Sequence, residues 1–497
     1  MLRILGGIVV KDCPVCSIPI PLERANPKKG LLLQAFTILI LLPLFLLVFR
    51  SGASAAEPAL DYTWNLREGQ EVSPFRLKSA VSLSAGKKLS LDDTSNLFFS
   101  NVPEFPTEPG ILCRVGDVLP PSGKVRVHFS HMNLLIDWTT DPLENMPAVV
   151  GFAVENQTSR TLDIYAGSGA MGCSRAPDGT YLFTDDAAPP QPGESEPQYY
   201  GSAVGNYVVR EFFLSEERPP VHLGRVQSGG RLIISGEVGP KGWAAGIYDL
   251  SFIDAGTGLQ VGRNDLPFGE TVGMETFIAP LSGSLDAFLD NCLESGTVLR
   301  PGPNDCEPMR GLFIPGVYPD SPGGGAVSRG FTVTYLARER EIASFALASG
   351  DAAPEFEVDV FLNDGMRNGL DPASPDLKGV NKGCYGVDYR VDLQLEGPVA
   401  LVFQGAMQPG YVDVYNQIST VWLDGRLKAV QIKDPLYSSY YTNPYVLRPP
   451  GYGRVIAVFP EQGRHDHLLR FIQPPNNYGP VRFYLLPLKT DEIPAND

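Results

Sequence analysis

Strict alternation of apolar and polar side chains is the feature that most restricts what this chain can fold into. From Val387 to Glu396, apolar and polar residues alternate without a break. Because successive side chains of a β-strand point to opposite faces, this pattern predicts a strand with one face on a core and the other in water. Similar faces recur at Val125–Ser130, Val150–Val154 and Phe356–Val360. Asp424-Gly425, between two short apolar runs, predicts a two-residue hairpin turn.

The overall composition agrees with a β protein that has many turns. Glycine and proline number 52 and 45 among 497 residues, and 43% of the chain is hydrophobic. Turn-forming residues between short apolar runs are typical of strands joined by tight connections. Helical patterns are confined to Val204–Leu214 and Leu285–Leu293, and Ser282 or Ser284 is the candidate N-cap of the second. We therefore expect an all-β fold of two antiparallel β-sandwich-like domains with a few short helices.

A domain boundary is predicted near residues 300–330, where Pro301-Gly-Pro303 and Pro322-Gly-Gly-Gly325 interrupt the strand pattern. The predicted organisation is an N-terminal export or anchor segment (1–55), a lead segment (56–88), a first β domain (89–295), a linker (296–328), a second β domain (329–487) and a tail (488–497).

The N-terminal segment predicts the compartment. Leu31–Phe49 is almost wholly apolar, Lys28 and Lys29 precede it, and Ala53-Ser54-Ala55 follows it. A basic flank, an apolar core and an Ala-x-Ala site are typical of a signal peptide cut before Ala56. Uncut, the segment is long enough to span a bilayer and would be a membrane anchor. Both interpretations place the rest of the chain outside the cytoplasm, secreted or at the cell surface.

The charge of the chain restricts its partners. The whole chain carries −16, and removal of residues 1–55 takes away six basic and two acidic residues, which leaves −20. Such a charge repels nucleic acids and anionic lipids. We therefore expect no nucleic-acid partner, and contact with a membrane only through the N-terminal segment if it stays uncut.

Five cysteines follow residue 56, in a compartment that permits disulfides. Cys292 and Cys306 bracket a proline-rich loop and are the predicted disulfide. Cys113 with Cys173 is a second candidate pair, and Cys384 is the candidate buried free thiol.

His465 and His467 are the candidate metal ligands, because residues i and i+2 of a strand point the same way. The alternative is a polar strand rim, since no histidine follows them in the chain.

Patterns for catalysis are incomplete. Gly167–Gly172 fits Gly-x-Gly-x-x-Gly, but no helix is predicted after it, so we expect no dinucleotide site and no cofactor. Paired carboxylates for glycoside cleavage remain open, because an acidic chain offers many pairs. Asn156-Gln-Thr158 is a glycosylation sequon by pattern alone.

A tyrosine- and proline-rich segment, Pro435–Gly453, offers candidate ligand-binding side chains. Tyrosine rings on a proline-stiffened loop suit stacking on sugars or peptides. The alternative is that they cover a sheet edge. The candidates are Tyr437, Tyr440, Tyr441, Tyr445 and Tyr452.

Four segments carry a family resemblance: Ser95–Glu104, Pro109–Leu112, His131–Asn133 and Ala245–Asp249. In these segments the chain resembles uncharacterised exported β-rich proteins of Gram-positive anaerobes, often labelled copper amine oxidase-like or stalk-domain proteins. The resemblance implies a secreted or cell-surface β protein and no particular activity.

The oxidase label does not fit this sequence. True copper amine oxidases form their quinone from the tyrosine of Asn-Tyr-Asp/Glu, whereas here Asn206-Tyr207 and Asn477-Tyr478 are followed by Val and Gly. The chain also lacks a third histidine after His467. We therefore expect a non-catalytic cell-envelope or extracellular protein that binds a surface polymer or another surface protein. The alternative is a secreted hydrolase that acts on glycans through paired carboxylates.

Overall fold

The computed structural model describes residues 65–489 apart from 74–76, 78–79, 84–88, 90, 92–93, 141, 175–195, 297, 302–308, 316–324, 340, 349–365, 371–377, 382, 405–415, 434–452 and 476–480. These residues belong to one compact unit, Tyr62–Asp497. The predicted export segment, the five candidate tyrosines, the Phe356–Val360 strand and Cys306 lie outside the described residues. None of the helices that the structure describes is both long and apolar enough to span a membrane.

Strands dominate the described part of the chain. In chain order they are β1 (Glu71–Val72), β2 (Val81–Ser82), β3 (Asn96–Ser100), β4 (Gly110–Val115), β5 (Lys124–Met132), β6 (Ile136–Asp137), β7 (Glu144–Asn145), β8 (Ala148–Gln157), β9 (Leu162–Cys173), β10 (Val221–Val226), β11 (Arg231–Val238), β12 (Trp243–Asp254), β13 (Thr271–Pro280), β14 (Arg310–Phe313), β15 (Ser328–Leu336), β16 (Ala343–Leu347), β17 (Met366–Leu370), β18 (Lys378–Asn381), β19 (Asp388–Glu396), β20 (Val399–Gln404), β21 (Asn416–Leu423), β22 (Arg426–Lys433), β23 (Gly453–Phe459), β24 (Arg464–Ile472) and β25 (Val481–Pro487). The helices are α1 (Glu196–Ser215) and α2 (Leu285–Ser295), with short 3₁₀ turns at Arg263–Asp265 and Ala337–Glu339. The prediction of an all-β fold with few helices is confirmed.

The strands form four large sheets and one small hairpin. The orders are β10-β9-β12-β5-β3-β14-β17-β18, β1-β23-β20-β25-β16-β2, β15-β19-β24-β21-β22, β11-β8-β13-β4 and β6-β7. Most pairs are antiparallel, but β3 with β5, β15 with β19 and β2 with β16 are parallel.

The alternating pattern places side chains as predicted, except that Asp388, on the face predicted to be in water, is buried. In β19, Val391, Leu393 and Leu395 are buried, whereas Gln394 is exposed. The hairpin at Asp424-Gly425 joins β21 to β22, and both turn residues have positive φ, 49° and 81°. Positive φ at both positions is the backbone that a type I′ turn requires.

Two main cores fill the space between these sheets. Side chains of the eight- and four-stranded sheets form one core, which includes Phe129, Phe152 and Phe252. Side chains of the five- and six-stranded sheets form the other, which includes Phe403 and Phe471.

Strand pairing crosses the predicted domain boundary. β14 lies within the predicted linker and pairs with β3, and it also pairs with β17 from the predicted second domain. Arg126 of β5 adds side-chain bonds across the boundary, because its Nη1 donates to the carbonyl oxygens of Val327 and Gly386 at 2.8 and 2.9 Å. The division into two domains stays a prediction, and the eight-stranded sheet contains strands from both predicted domains.

Helix α1 packs between two sheets. Its apolar stripe, including Val204, Val208 and Phe212, is buried, and Gly172 of β9 lies directly beneath it. A Cβ at Gly172 would come within 3.2 Å of the Val204 and Val208 side chains, so glycine permits this close approach. On its other side, α1 meets β21, where Thr420 Oγ1 donates to Asn206 Oδ1 at 2.8 Å. The predicted helix is confirmed and begins earlier, at Glu196.

Helix α2 also forms where predicted. Ser284 is its N-cap and accepts a bond from the Ala287 amide, and Gly296 ends it with φ of 64°. Leu289 packs with Ile111 and Phe277 on the outer face of the four-stranded sheet.

The cysteine predictions are corrected in part. Cys113 and Cys173 are both thiols, so the predicted Cys113–Cys173 disulfide is wrong. Cys306 lies outside the described residues, so the Cys292–Cys306 disulfide stays a prediction. Cys113 lies on β4 and Cys173 on β9, in different sheets, and Cys292 of α2 packs against the apolar cluster between this helix and the four-stranded sheet. Cys384 is a fully buried thiol, as predicted.

Candidate functional site

A groove lies between the C-terminal half of α1 and the β21–β22 hairpin. Its volume is about 260 Å³, and its lining includes the aromatic side chains of Phe213 and Trp422. Arg210, Glu217 and Thr420 provide polar groups in the same lining. Sites for small ligands are typically concave, with aromatic walls and a few polar groups that set orientation.

Trp422 is held in place from below by Arg470. The two residues are direct partners on β21 and β24, so their side chains stand on the same face of the sheet. The Arg470 guanidinium carbon lies 5.6 Å from the centre of the Trp422 ring and 4.9 Å from that of Phe213. A guanidinium at these distances from aromatic faces makes cation–π contacts, which restrict the orientation of both rings.

Arg470 is itself fixed by two carboxylates. Its Nη1 and Nη2 donate to the two oxygens of Glu216 on the segment after α1, at 2.5 and 2.8 Å. Its Nη2 also donates to Asp388 at 2.7 Å. Burial lowers the pKa of Arg470, but the bonds to Glu216 and the charge of Asp388 outweigh it, so the pKa lies above its usual range. Arg470 therefore stays charged beneath the groove, and its bonds to two carboxylates fix its position.

This arrangement suits binding by stacking. A preorganised indole can pack on the apolar face of a planar or ring-shaped group, while Arg210 and Glu217 offer donors and acceptors to its edge. The volume is below that of typical drug-sized pockets, so it matches a single small unit.

A ring of four charges crosses the four-stranded sheet under α2. Arg231 contacts Glu155 at 2.9 Å and Glu275 at 3.6 Å, and Arg114 contacts the same two carboxylates at 3.0 and 3.6 Å. Burial, reinforced by the Glu155 charge, raises the pKa of Glu275 to about 7. A carboxyl with a raised pKa beside a second carboxyl is a pattern found in glycosidase active sites. Glu275 is nevertheless fully buried, so this pair has no surface to offer a substrate.

A serine and a histidine also meet inside the first core. His131 Nε2 lies 3.0 Å from Ser100 Oγ, and its Nδ1 lies 2.9 Å from the carbonyl oxygen of Pro103. Thr276 Oγ1 completes the chain at 2.7 Å from Ser100 Oγ. Both Ser100 and His131 are 0% exposed, so these bonds tie strands together and no substrate reaches the hydroxyl.

The two candidate metal ligands bond to each other. His465 Nδ1 lies 2.8 Å from His467 Nε2, and His467 Nδ1 lies 2.6 Å from Asp424 Oδ2. His467 thus directs its two nitrogens to two different neighbours, and a metal ion would have to displace one of them. Among the described residues, no group of three or more His, Cys, Asp or Glu side chains is placed to hold a metal. The structure thus places the pair in a hydrogen-bond chain with Asp424, and their role as metal ligands stays a prediction.

Two sequence motifs have structural explanations. Gly167–Gly172 lies wholly within β9, where Gly169 and Gly172 make room for Tyr248 and α1. Asn156 of the sequon is fully buried, and its Nδ2 donates to the carbonyl oxygens of Arg160 and Val226 at 2.7 and 3.0 Å.

Sequence reasoning missed the groove. Trp422 stands next to the predicted hairpin turn, but only the pairing of β21 with β24 and the position of α1 bring Arg470 and Phe213 to it. The candidate tyrosines fall in the segment between β22 and β23, outside the described residues. Comparison of the chain with protein-family models gives no match, and comparison with curated proteins gives none.

Proposed function

We propose that this chain is a non-catalytic extracytoplasmic protein that binds a cell-envelope or extracellular polymer, and that the groove beside α1 takes one unit of it. The observation that carries the proposal is the half-buried indole of Trp422, held by Arg470 at the wall of a small groove. Restricting an aromatic side chain before binding lowers the entropy cost of binding.

The location rests on the N-terminal pattern. Leu31–Phe49 between a basic flank and Ala53-Ser54-Ala55 supports export, and the acidity of the remaining chain suits an extracytoplasmic protein. The resemblance to exported β-rich surface proteins supports the same location.

A polymer is favoured over a small free ligand because of the size of the groove. A volume of about 260 Å³ fits one ring-shaped unit, which alone would bind weakly. A chain of such units, each of which can occupy the groove, would raise the apparent affinity through multivalency. The other partner that would fit the groove is a surface protein that presents a flat side chain to it.

The test is binding of the chain from Ala56 to a glycan array, compared with Trp422→Ala and Trp138→Ala. Trp138 is 71% exposed and lies outside the groove lining, so it is the matched control for a surface tryptophan. We expect Trp422→Ala to weaken binding about tenfold or more, which corresponds to about 1.4 kcal/mol, and Trp138→Ala to leave it unchanged. Equal loss in both variants, or no binding by the unmodified chain, would overturn the proposal.

The alternative of a secreted glycan hydrolase is separated by a turnover screen on polysaccharides. The buried Glu155–Glu275 pair does not support it, since hydrolysis needs carboxylates that reach the sugar. Turnover that is abolished by a single Asp or Glu substitution would establish the hydrolase and reject the binding protein.

A further inference from the structure

Two sets of contacts fix the direction in which α1 runs along β21. At one point Thr420 of β21 donates to Asn206 of α1 at 2.8 Å. Further along both elements, the rings of Phe213 and Trp422 contact the same guanidinium, that of Arg470. The C-terminal end of α1 therefore points toward the β21–β22 hairpin turn.

The strand residues of the groove lining follow the same direction. Residues two apart on a strand share a face, and direct partners on neighbouring strands stand side by side. Thr420 and its partner Ala429 lie at one end of the lining. Trp422 and its partner Leu427 form the middle, and Gly425 of the turn lies at the other end.

Two opposite charges occupy the two ends of this lining. Arg210 is about one helical turn beyond Asn206, so it belongs to the Thr420 end. Glu217 follows Ser215, the last residue of α1, so it belongs to the end at the hairpin turn. Seven positions separate the two charged residues in the chain, which is roughly 10 Å along a helix. The groove is therefore positive at one end and negative at the other.

Both charged side chains can reach a ligand. The Arg210 guanidinium has several N–H donors, of which Nη1 bonds to the neighbouring Glu211 at 3.2 Å. Both partners of this bond are partly exposed, and such pairs contribute little free energy. Glu217 is exposed. A unit stacked on Trp422 therefore meets a cation on one side and an anion on the other.

The charge of the whole chain disfavours a purely acidic ligand. Once residues 1–55 are removed, the chain carries −20 and repels acidic polymers at long range. A stretch with equal numbers of acidic and basic groups is neutral overall and escapes this repulsion. At close range its two charges still pair with the two ends of the groove.

We propose that the groove selects a zwitterionic stretch of a glycan, in which a sugar ring stacks on Trp422, a carboxylate lies toward Arg210 and an ammonium group lies toward Glu217. An acidic sugar and an amino sugar supply these two groups. A guanidinium binds a carboxylate through two parallel hydrogen bonds, and a carboxylate accepts charge-assisted bonds from an ammonium group. The inference rests on the proposed function and adds the class of glycan.

Three oligosaccharides test this selectivity on the chain from Ala56. De-N-acetylated hyaluronan alternates a uronic acid with a free amino sugar and is zwitterionic, whereas hyaluronan is only acidic and chitosan is only basic. Binding is measured at about pH 6, where uronic acids are ionised and sugar amines are protonated. Salt at about 0.15 M screens charges more than about 8 Å away. We expect the zwitterionic oligosaccharide to bind about fivefold tighter than hyaluronan.

Two variants assign the two ends of the groove. Glu217→Gln should weaken the binding of both amine-bearing oligosaccharides about fivefold and leave that of hyaluronan unchanged. Arg210→Gln should weaken the binding of both carboxylate-bearing oligosaccharides and leave that of chitosan unchanged. This crossed pattern separates a contact with the ligand from a general disturbance of α1, which would weaken all three.

Two control variants change the net charge by the same amounts outside the groove lining. Arg218→Gln removes an exposed arginine next to Glu217 in the chain, and Glu294→Gln removes an exposed glutamate on α2. Both should leave the affinities for the three oligosaccharides unchanged.

Equal affinity of the unmodified chain for hyaluronan and for its de-N-acetylated form would overturn the inference, as would equal losses for all three oligosaccharides in Arg210→Gln or Glu217→Gln. If neutral glycans of the array bind through Trp422 and the charges make no difference, the proposed function stands without this selectivity. If no glycan binds at all, the proposed function itself fails. Tighter binding of a tripeptide of glutamate, proline and lysine than of every oligosaccharide would assign the groove to a protein partner and overturn the glycan.

Discussion

Arg470 and Trp422 face each other across two neighbouring strands, with the guanidinium carbon 5.6 Å from the centre of the indole ring. The same guanidinium compensates the charge of Asp388, whose side chain is 1% exposed. One arginine thus supports the wall of the groove and neutralises a buried carboxylate beneath it.

Replacing Arg470 by Met is expected to lower the free energy of unfolding by about 3 kcal/mol, because Asp388 would stay buried without its main partner. Urea denaturation at neutral pH measures the change. Arg390→Met is the matched control, since Arg390 also contacts Asp388, at 2.9 Å, but is 41% exposed. Its loss should cost less than about 1 kcal/mol. Equal costs would show that Arg470 has no special role in compensating Asp388.

Glu275→Gln is expected to change the dependence of stability on pH. Burial and the Glu155 charge raise the pKa of Glu275 from 4.5 to about 7, so the folded state binds this proton more tightly than the unfolded state does. The resulting stabilisation is complete below about pH 4.5 and is lost as the pH rises through about 7. Glutamine stays neutral, so the variant should gain on the order of 3 kcal/mol over the unmodified chain between those limits.

Denaturation curves on both sides of this pH range test that prediction. Glu237→Gln, which changes an exposed carboxylate on β11, provides the comparison and should show no such gain. A pH profile of Glu275→Gln parallel to that of the unmodified chain would mean that Glu275 does not titrate in this range.

His128 and His131 on β5 are both buried but should respond differently to replacement by Phe. His128 lies between Phe99 and Tyr385, and neither of its ring nitrogens has a hydrogen-bond partner among the described residues. His131 bonds to Ser100 and Pro103. At neutral pH, His131→Phe should cost about 1–3 kcal/mol, whereas His128→Phe should cost little or nothing.

Acid should reveal the buried, neutral state of His128. Burial, with a smaller contribution from Arg126, lowers the pKa of His128 from 6.5 to about 3. The unfolded state therefore takes up this proton first, and stability is lost as the pH falls below about 6.5. His128→Phe should lose less stability than the unmodified chain between pH 6.5 and about 3, as followed by circular dichroism. Equal loss of stability in acid by His128→Phe and by the unmodified chain would contradict the buried, neutral state of His128.

Gly205→Ala in α1 is expected to destabilise the protein, although alanine is the better helix former by about 1 kcal/mol. A Cβ at this position would lie 2.0 Å from the carbonyl oxygen of Pro475, which is backbone and cannot rotate away. We expect a loss of about 1–3 kcal/mol in thermal or urea unfolding. A gain in stability would show that α1 does not pack against the chain that follows β24.

Asn156 is expected to remain unglycosylated when the chain is secreted from a host that modifies such sequons. Its amide hydrogens are both used inside the fold, and Thr158 is 1% exposed. Intact-mass measurement before and after glycosidase treatment decides the matter. A glycan at Asn156 would mean that β8 is accessible before or after folding.

Local patterns of the sequence predicted local structure well. The alternation at Val387–Glu396, the turn at Asp424-Gly425 and the cap at Ser284 each depend on a few adjacent residues, and all three are present. Both helices were also predicted from their apolar spacing, although α1 begins earlier than expected.

Features that depend on distant residues could not be predicted in this way. Nothing near Trp422 in the sequence indicates Arg470 as its partner, since the pairing of β21 with β24 brings them together. The sequence likewise gives no sign that Asp424 of the β21–β22 turn bonds to His467, one of the two candidate metal ligands. The Cys113–Cys173 pair failed for the same reason, because the sequence does not show that β4 and β9 join different sheets.

The pairing of β3 with the distant strand β14 has a consequence for folding while the chain is being synthesised. β3 ends at Ser100, but its antiparallel partner β14 begins only at Arg310. At about 5–20 residues per second, roughly 10–40 s of synthesis separate the two strands, and the edge of β3 stays without its neighbour throughout. An unpaired apolar edge invites pairing with other chains. We therefore expect the yield of this protein to depend on chaperones that shield the nascent chain more than on the final stability of its fold.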